Sequence, residues 1–244
     1  MKAEHIAFIM DGNRRYAKKN DLTLKESYNL GMTKFLEFVK LQIKYNIKTT
    51  SYFALSSENY IKRPKEEKEI LFDLVKFFSN SSETKTFFIS NKIEIKLKGD
   101  INELKQKEKI INFGKSFIDE LEETINNWNS EIKNPQYLVN IALNYNGQKE
   151  IVNSVNKILS EIKSGTLKEN LIDEKLIKKY LWFNGKEPEI IVRPGNAPRL
   201  SGFMLWDSAY SEIYLTEKLW PEMNEEDFEK ILSWYENIQR NFGK

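Results

Sequence analysis

The chain has no cysteine and a single histidine in 244 residues. The first absence removes disulfides and thiolate metal sites and is compatible with the cytosol. The second leaves no histidine cluster for a metal, and a Ser-His-Asp hydrolase would have to use His5. Long apolar runs are missing too. None approaches the ~18 residues that a membrane span needs, and the start carries no signal-peptide core. The expectation is a soluble, cytoplasmic protein. An excess of one charge is also lacking, with 38 lysines and arginines against 36 aspartates and glutamates. That balance gives no electrostatic footprint for nucleic acid, so the basic residues that matter must act locally. No repeat, low-complexity tract or linker divides the chain. Its length fits one domain, 1–244, with a sizeable core.

What is present is an alternation. Short apolar runs at His5–Ile9, Ser51–Leu55, Ile93–Leu97, Tyr137–Leu143, Ile190–Val192 and Ile213–Leu215 read as strands. Helical spacing of apolar residues marks Ser27–Asn46, Lys65 to about Lys85, Leu104–Trp128, Gly147–Ile162 and Glu225–Phe242. This order predicts an α/β fold with a mostly parallel central sheet covered by helices.

The most informative stretch is Met10-Asp11-Gly12-Asn13-Arg14-Arg15, directly after the first strand. Asp11 falls at the strand's carboxyl end, where open α/β sheets bind ligands. Gly12 and Asn13 tolerate the positive-φ turns that expose backbone N–H groups. Arg14 and Arg15 add guanidinium forks suited to phosphate oxygens. A carboxylate able to hold Mg²⁺ beside a phosphate cradle is equipment for a diphosphate. An ordinary strand–turn–helix with a solvated arginine pair reads the same residues equally well. A second segment shifts the balance. Arg193-Pro194-Gly195 follows the strand Ile190–Val192, with Arg199, Ser201 and Gly202 next. Two arginines and a hydroxyl at a strand end make a second anion site. Glu212 lies beyond as a candidate second metal carboxylate. Neither segment carries a P-loop lysine, so the nucleotide-hydrolase pattern is absent.

These blocks, with Ser56-Ser57-Glu58-Asn59-Tyr60, Arg63-Pro64, Asn144-Tyr145 and Arg199-Leu200-Ser201 through Trp206 and Glu212, resemble the cis-prenyltransferases, most of all the bacterial undecaprenyl diphosphate synthases. The likeness runs from His5 to about Phe242, with the blocks in the family's order. It implies Mg²⁺-dependent condensation of isopentenyl diphosphate with an allylic primer, farnesyl diphosphate. The implied product is a long polyprenyl diphosphate of the undecaprenyl type, the lipid carrier for cell-wall glycans.

The resemblance also assigns roles. Gly12, Asn13, Arg14, Arg15 and Tyr16 take the allylic diphosphate, with Leu24 and Tyr28 standing where the family commonly has arginine and histidine. Arg193, Arg199, Leu200 and Ser201 take isopentenyl diphosphate. Asp11 is the central carboxylate and a Mg²⁺ ligand, with Glu212 as a further ligand. Asn59 is the family's proton acceptor; an amide is a poor base, so positioning a water or a diphosphate oxygen suits it better. Ser56, Ser57 and Glu58 line the same strand end, or else cap the next helix. Tyr60 replaces a tryptophan as an aromatic wall, and Arg63 fits with an offset. Gln148 stands where an arginine is frequent, and Glu66 and Glu67 read as a solvated helix start.

The resemblance further implies a homodimer, a hydrophobic tunnel for the growing chain, and transient contact with a membrane surface on product release. Residue pattern alone leaves Phe35, Phe38, Phe72, Phe77, Phe78, Phe87 and Phe88 readable as packed core. It leaves Tyr210, Tyr214, Leu219 and Trp220 readable as interface anchors or as core. Two other functions compete. A non-catalytic partner subunit of such an enzyme is disfavoured by the retained Asp11 and arginines. A phosphate-binding hydrolase with Asp11 as nucleophile would want an aspartate where Asn13 stands.

Overall fold

Each apolar run becomes a strand of one sheet, because the helices between the runs cover both of its faces. A computed structural model describes residues 2–112, 117–168 and 172–238. The strands are β1 His5–Ile9, β2 Thr49–Ser56, β3 Ile93–Lys98, β4 Tyr137–Tyr145, β5 Ile190–Pro194 and β6 Glu212–Thr216. They form a six-stranded sheet ordered β3-β4-β2-β1-β5-β6, and each neighbouring pair is parallel. β1 is central and buried at every position, as a parallel strand covered on both faces must be. Its side chains alternate: Ile6 and Phe8 enter one apolar cluster, Ala7 and Ile9 the other.

The helices are α1 Asn13–Lys19, α2 Leu24–Lys44, α3 Ser57–Lys62, α4 Lys65–Asn80, α5 Ser82–Ser90, α6 Ile101–Asn112, α7 Phe117–Glu131, α8 Gly147–Lys163, α9 Glu174–Tyr180 and α10 Glu225–Glu236. Phe35, Phe38, Phe78, Phe88, Leu121 and Phe228 carry α2, α4, α5, α7 and α10 into the larger cluster. Tyr145, Phe183, Phe203 and Met204 fill the smaller one. α2 starts before the expected Ser27 because Thr23 and Glu26 form a capping box, with Thr23 Oγ accepting the Glu26 N–H at 3.2 Å.

The expected helix Lys65–Lys85 is two helices. Ser81 is extended (φ −76, ψ 116) and its hydroxyl accepts the Thr84 N–H at 3.2 Å, ending α4 and capping α5. Leu104–Trp128 likewise divides into α6 and α7, with 113–116 outside the described residues. The helix expected to reach Phe242 ends at Glu236, where Asn237 caps it, and 239–244 lie outside the described residues. Leu219 and Trp220 belong to the core, Trp220 Nε1–H donating to the Gly31 carbonyl at 2.8 Å, whereas Tyr210 is exposed. No helix among the described residues is long and apolar enough to cross a membrane.

Candidate active site

The chain leaves β1 toward β2 on one side and returns in β5 on the other. Such a switch point opens a crevice at the carboxyl ends of the strands. Past β1, the Asp11 N–H donates to the Ile9 carbonyl at 2.7 Å, and Gly12 turns into α1 with φ +111. A Cβ at Gly12 would meet Leu219 at 2.8 Å, so the turn requires glycine. β5 delivers Arg193, 4% exposed. Its guanidinium donates to Asp11 Oδ2 at 2.8 Å, to Ser201 Oγ at 2.8 Å, and to the Arg199 carbonyl. Arg15 lies 3.4 Å from Asp11 Oδ1 and donates to the Gly195 carbonyl at 2.7 Å. Arg193 and Arg15 thus lock the loop after β5 onto the turn after β1.

These groups line an open pocket of about 790 Å³, completed by Arg14, Arg199, Glu58, Asn59, Asn146 and Gln148. The Ser56 hydroxyl caps α3 by accepting the Asn59 N–H at 3.0 Å. Asn146 caps α8, accepting the Lys149 N–H at 2.9 Å, and its amide donates to Glu58. Arg193 Nε and Arg63 Nη1 are buried without a protein partner. Buried cationic donors call for an anion. Among the described residues no three His, Asp or Glu side chains converge on a metal-sized space. Asp11 is partly exposed, with a guanidinium near each oxygen. A lone carboxylate of this kind suits Mg²⁺ shared with diphosphate oxygens and not an all-protein cage.

Below the pocket, α4 contributes Glu67, 3% exposed. Its carboxylate accepts from Arg14 Nε at 3.1 Å and from the Tyr28 hydroxyl at 2.6 Å, and lies 3.1 Å from Arg63 Nε. Burial pushes the Glu67 carboxyl up, but hydrogen bonds from Arg14 and Tyr28 and the two guanidinium charges outweigh it and hold it below its ordinary value. The Tyr28 hydroxyl is pushed up to about 12, chiefly by burial. Beside this cluster lies an apolar cavity of about 140 Å³, walled by Phe35, Tyr52, Leu71, Phe72, Phe78 and Leu121 among others. Met10, Asn13, Tyr28, Ala54 and Arg63 line both spaces. An anion pocket that adjoins an apolar cavity fits a molecule with a charged head and a hydrocarbon tail.

Residues 9–243 match the sequence profile of the family described as putative undecaprenyl diphosphate synthase. The chain belongs to this family. It is 36% identical to a tritrans,polycis-undecaprenyl-diphosphate synthase (geranylgeranyl-diphosphate specific) of Pyrobaculum aerophilum, over 98% of this chain and 95% of that one. It is 34% identical to an isoprenyl transferase of Prochlorococcus marinus, over 98% of this chain and 83% of that one. Its fold matches that of lavandulyl diphosphate synthase from Lavandula x intermedia, solved in complex with dimethylallyl diphosphate, with a TM-score of 0.87, 27% identity, and 100% and 99% of the two chains covered.

In this prenyltransferase the expected site residues divide. Asp11, Gly12, Asn13, Arg14, Arg15, Tyr28, Ser56, Glu58, Asn59, Arg63, Arg193, Arg199 and Ser201 line the pocket. Tyr16, Leu24, Ser57, Tyr60, Leu200 and Glu212 do not. Tyr16 and Leu24 are half-buried outside it. The Ser57 hydroxyl donates to the Asn144 carbonyl at 2.9 Å, tying α3 to β4. Tyr60 is buried in the core with Lys68 and Lys107 over its ring, and Leu200 packs on the smaller apolar cluster. Glu212 opens β6 opposite Ile190, itself opposite Ile6. β6 runs parallel to β1, so Glu212 sits at the amino end of the sheet and Asp11 beyond its carboxyl end. One chain therefore does not bring the two carboxylates together. Glu67, expected to be solvated, is the site residue that sequence reasoning missed. It shares a stripe with Leu71, Leu74 and Phe78, at i, i+4, i+7 and i+11, and that spacing was the available signal.

Proposed function

We propose that this prenyltransferase condenses isopentenyl diphosphate with an allylic diphosphate, farnesyl diphosphate as primer, and extends it to a long polyprenyl diphosphate of the undecaprenyl type. The observation that carries this reading is the shared lining of anion pocket and apolar cavity at Met10, Asn13, Tyr28, Ala54 and Arg63. Gly12, Asn13, Arg14 and Arg15 take the allylic diphosphate, and its tail enters the cavity past Asn13 and Tyr28. Arg193, Arg199 and Ser201 take isopentenyl diphosphate. The alkene electrons of isopentenyl diphosphate form the new bond to the allylic carbon. The C–O bond of that carbon breaks with its electron pair leaving on the diphosphate, and a proton passes from C2 of the isopentenyl unit to a water or a diphosphate oxygen, leaving a cis double bond.

Negative charge grows on the departing diphosphate, and prearranged guanidiniums stabilise it more in the transition state than in the ground state. Asp11 is the residue to hold Mg²⁺ together with diphosphate oxygens, and the ion, when bound, supplies Lewis-acid stabilisation of the leaving group. Asn59 positions a water or a diphosphate oxygen, since its amide is no base at neutral pH. Growth of the product requires the cavity walls to part, because a cavity of about 150 Å³ holds little more than a benzene ring.

A homodimer formed at the β6 edge is part of the proposal. Ile213 and Leu215 are exposed there, with Tyr210 nearby in sequence, and apolar edge strands need cover. An amphipathic product supports transient contact with a membrane surface from the cytoplasmic side. The test is incubation with farnesyl diphosphate, labelled isopentenyl diphosphate and Mg²⁺, with product length read by chromatography. Incorporation that EDTA abolishes is expected. Substrate binding without incorporation would replace this reading with a non-catalytic partner subunit, and a monomeric mass by light scattering would remove the dimer.

A further inference from the structure

The loop carrying Arg199 and Ser201 follows a path that side chains resist. Ser201, Gly202 and Met204 have φ of +53, +80 and +46, and left-handed conformations are disfavoured for residues with a Cβ. Contacts must therefore hold the loop in place. On the pocket side, Arg193 grips Ser201 Oγ. On the other side, the Gly202 carbonyl accepts the Gly147 N–H at 2.8 Å, and Phe203 and Met204 are buried with Tyr145 and Phe183. The Tyr145 hydroxyl donates to Glu150, whose other oxygen accepts the Phe183 N–H at 2.8 Å. The far end of the loop is fixed by charge. Asp207, 1% exposed, pairs with Lys178 of α9, and its second oxygen has no partner. Glu150, Lys178 and Asp207 are all outside the pocket lining.

A buried ion pair is a weak source of stability, because apolar residues of similar volume hold a fold as well or better. What a pair adds is direction: Asp207 accepts from one ammonium at one place, which fixes where the loop ends. We propose that the pair of half-buried Lys178 and buried Asp207, supported by Glu150 beneath Tyr145, positions Arg199 and Ser201 for isopentenyl diphosphate from outside the pocket. Asp207 and Lys178 are positioning residues; neither touches substrate. The inference rests on the reading that Arg193, Arg199 and Ser201 hold isopentenyl diphosphate.

Steady-state kinetics of the full chain test it, with isopentenyl and farnesyl diphosphate varied separately for Asp207→Asn, Lys178→Met and Lys178→Arg. The first two variants should raise the KM for isopentenyl diphosphate roughly 10-fold, the scale of one misaligned charge-assisted contact. The KM for farnesyl diphosphate and the kcat at saturation should stay within about 2-fold, since only one substrate's uniform binding is weakened. Lys178→Arg keeps the charge and should behave as wild type. If Asp207→Asn does not fold, Lys178→Met carries the test, because the Lys178 side chain is 21% exposed. An unchanged isopentenyl KM in folded Lys178→Met, or equal rises in both KM values, overturns the proposal. Arg199→Ala separates the two levels. If it too leaves the isopentenyl KM unchanged, the reading of the pocket fails; if it raises that KM while the pair variants do not, only the positioning role fails.

Discussion

The anion pocket and the apolar cavity meet at Asn13, Tyr28 and Arg63, yet the first encloses about 790 Å³ and the second about 140 Å³. Charges fix the pocket's frame: Arg193, Arg15 and Glu67 bind their partners at fixed distances and tie turn, loop and helix to one another. Aromatic walls close the cavity, with Phe35 on Tyr52 at 4.7 Å and Phe72 on Phe117 at 5.5 Å between ring centroids. Apolar walls close on each other because each Å² removed from water is worth roughly 25 cal/mol. The difference teaches that the polar site is prearranged by its ion pairs, while the apolar space beside it is nearly closed by its own packing.

The largest expected effect breaks the polar half alone. Asp11→Ala should lower turnover by ~100-fold or more, the usual scale for a lost electrostatic stabiliser. Far-UV circular dichroism should stay unchanged, since a residue at the strand end contributes little packing. A variant that keeps more than about a tenth of the wild-type rate would remove Asp11 from the chemistry. Glu67→Gln comes next and cuts the seam between the two halves. A neutral amide cannot anchor Arg14 and Arg63 together, so the KM for farnesyl diphosphate should rise roughly 10-fold. An equal rise for isopentenyl diphosphate would mean that Glu67 supports the whole pocket.

A third variant probes the buried charges behind the pocket. Burial raises Glu150 from an ordinary 4.5 to about 7. Between those values the folded chain keeps a proton that the unfolded chain has lost, so this group's contribution to stability falls as pH rises through the window. Asp207, raised to about 6 by burial, acts in the same sense, and buried His5, lowered to about 4, acts in the opposite one. Glu150→Gln removes the first contribution alone. Its Tm relative to wild type should climb from about pH 4.5 to about pH 7. A flat difference across that range would show that Glu150 ionises normally. The smallest effect belongs to Tyr28→Phe, which leaves Glu67 its two guanidiniums. It should cost about 1 kcal/mol of stability and little kcat. A loss in kcat of ~100-fold would instead make Tyr28 a proton donor.

Sequence reached the two halves unequally. Asp11, Arg14, Arg15, Arg193, Arg199 and Ser201 were legible as pocket-lining residues because their types suit an anion site and their strand-end positions follow from short apolar runs. The order of strands and long helices was legible from periodicity. The break at Ser81 was not, since the apolar stripe continues across it and only a serine cap marks the change. Glu67 looked solvated among neighbouring charges, and its burial depends on Arg14, 53 positions away. The separation of Glu212 from Asp11 within one chain was not legible, because its place along β6 depends on strand register, which residue type does not encode. Phenylalanine stripes told nothing of cavity against core, because both demand the same residues.

The most direct test of the division between pocket and cavity is product length in Leu71→Trp, a variant that enlarges a side chain walling the cavity and not the pocket. Chromatography of products made from farnesyl and labelled isopentenyl diphosphate should show shorter chains, with the KM for isopentenyl diphosphate unchanged. Products of wild-type length would contradict the account, for the growing chain would then lie somewhere other than this cavity.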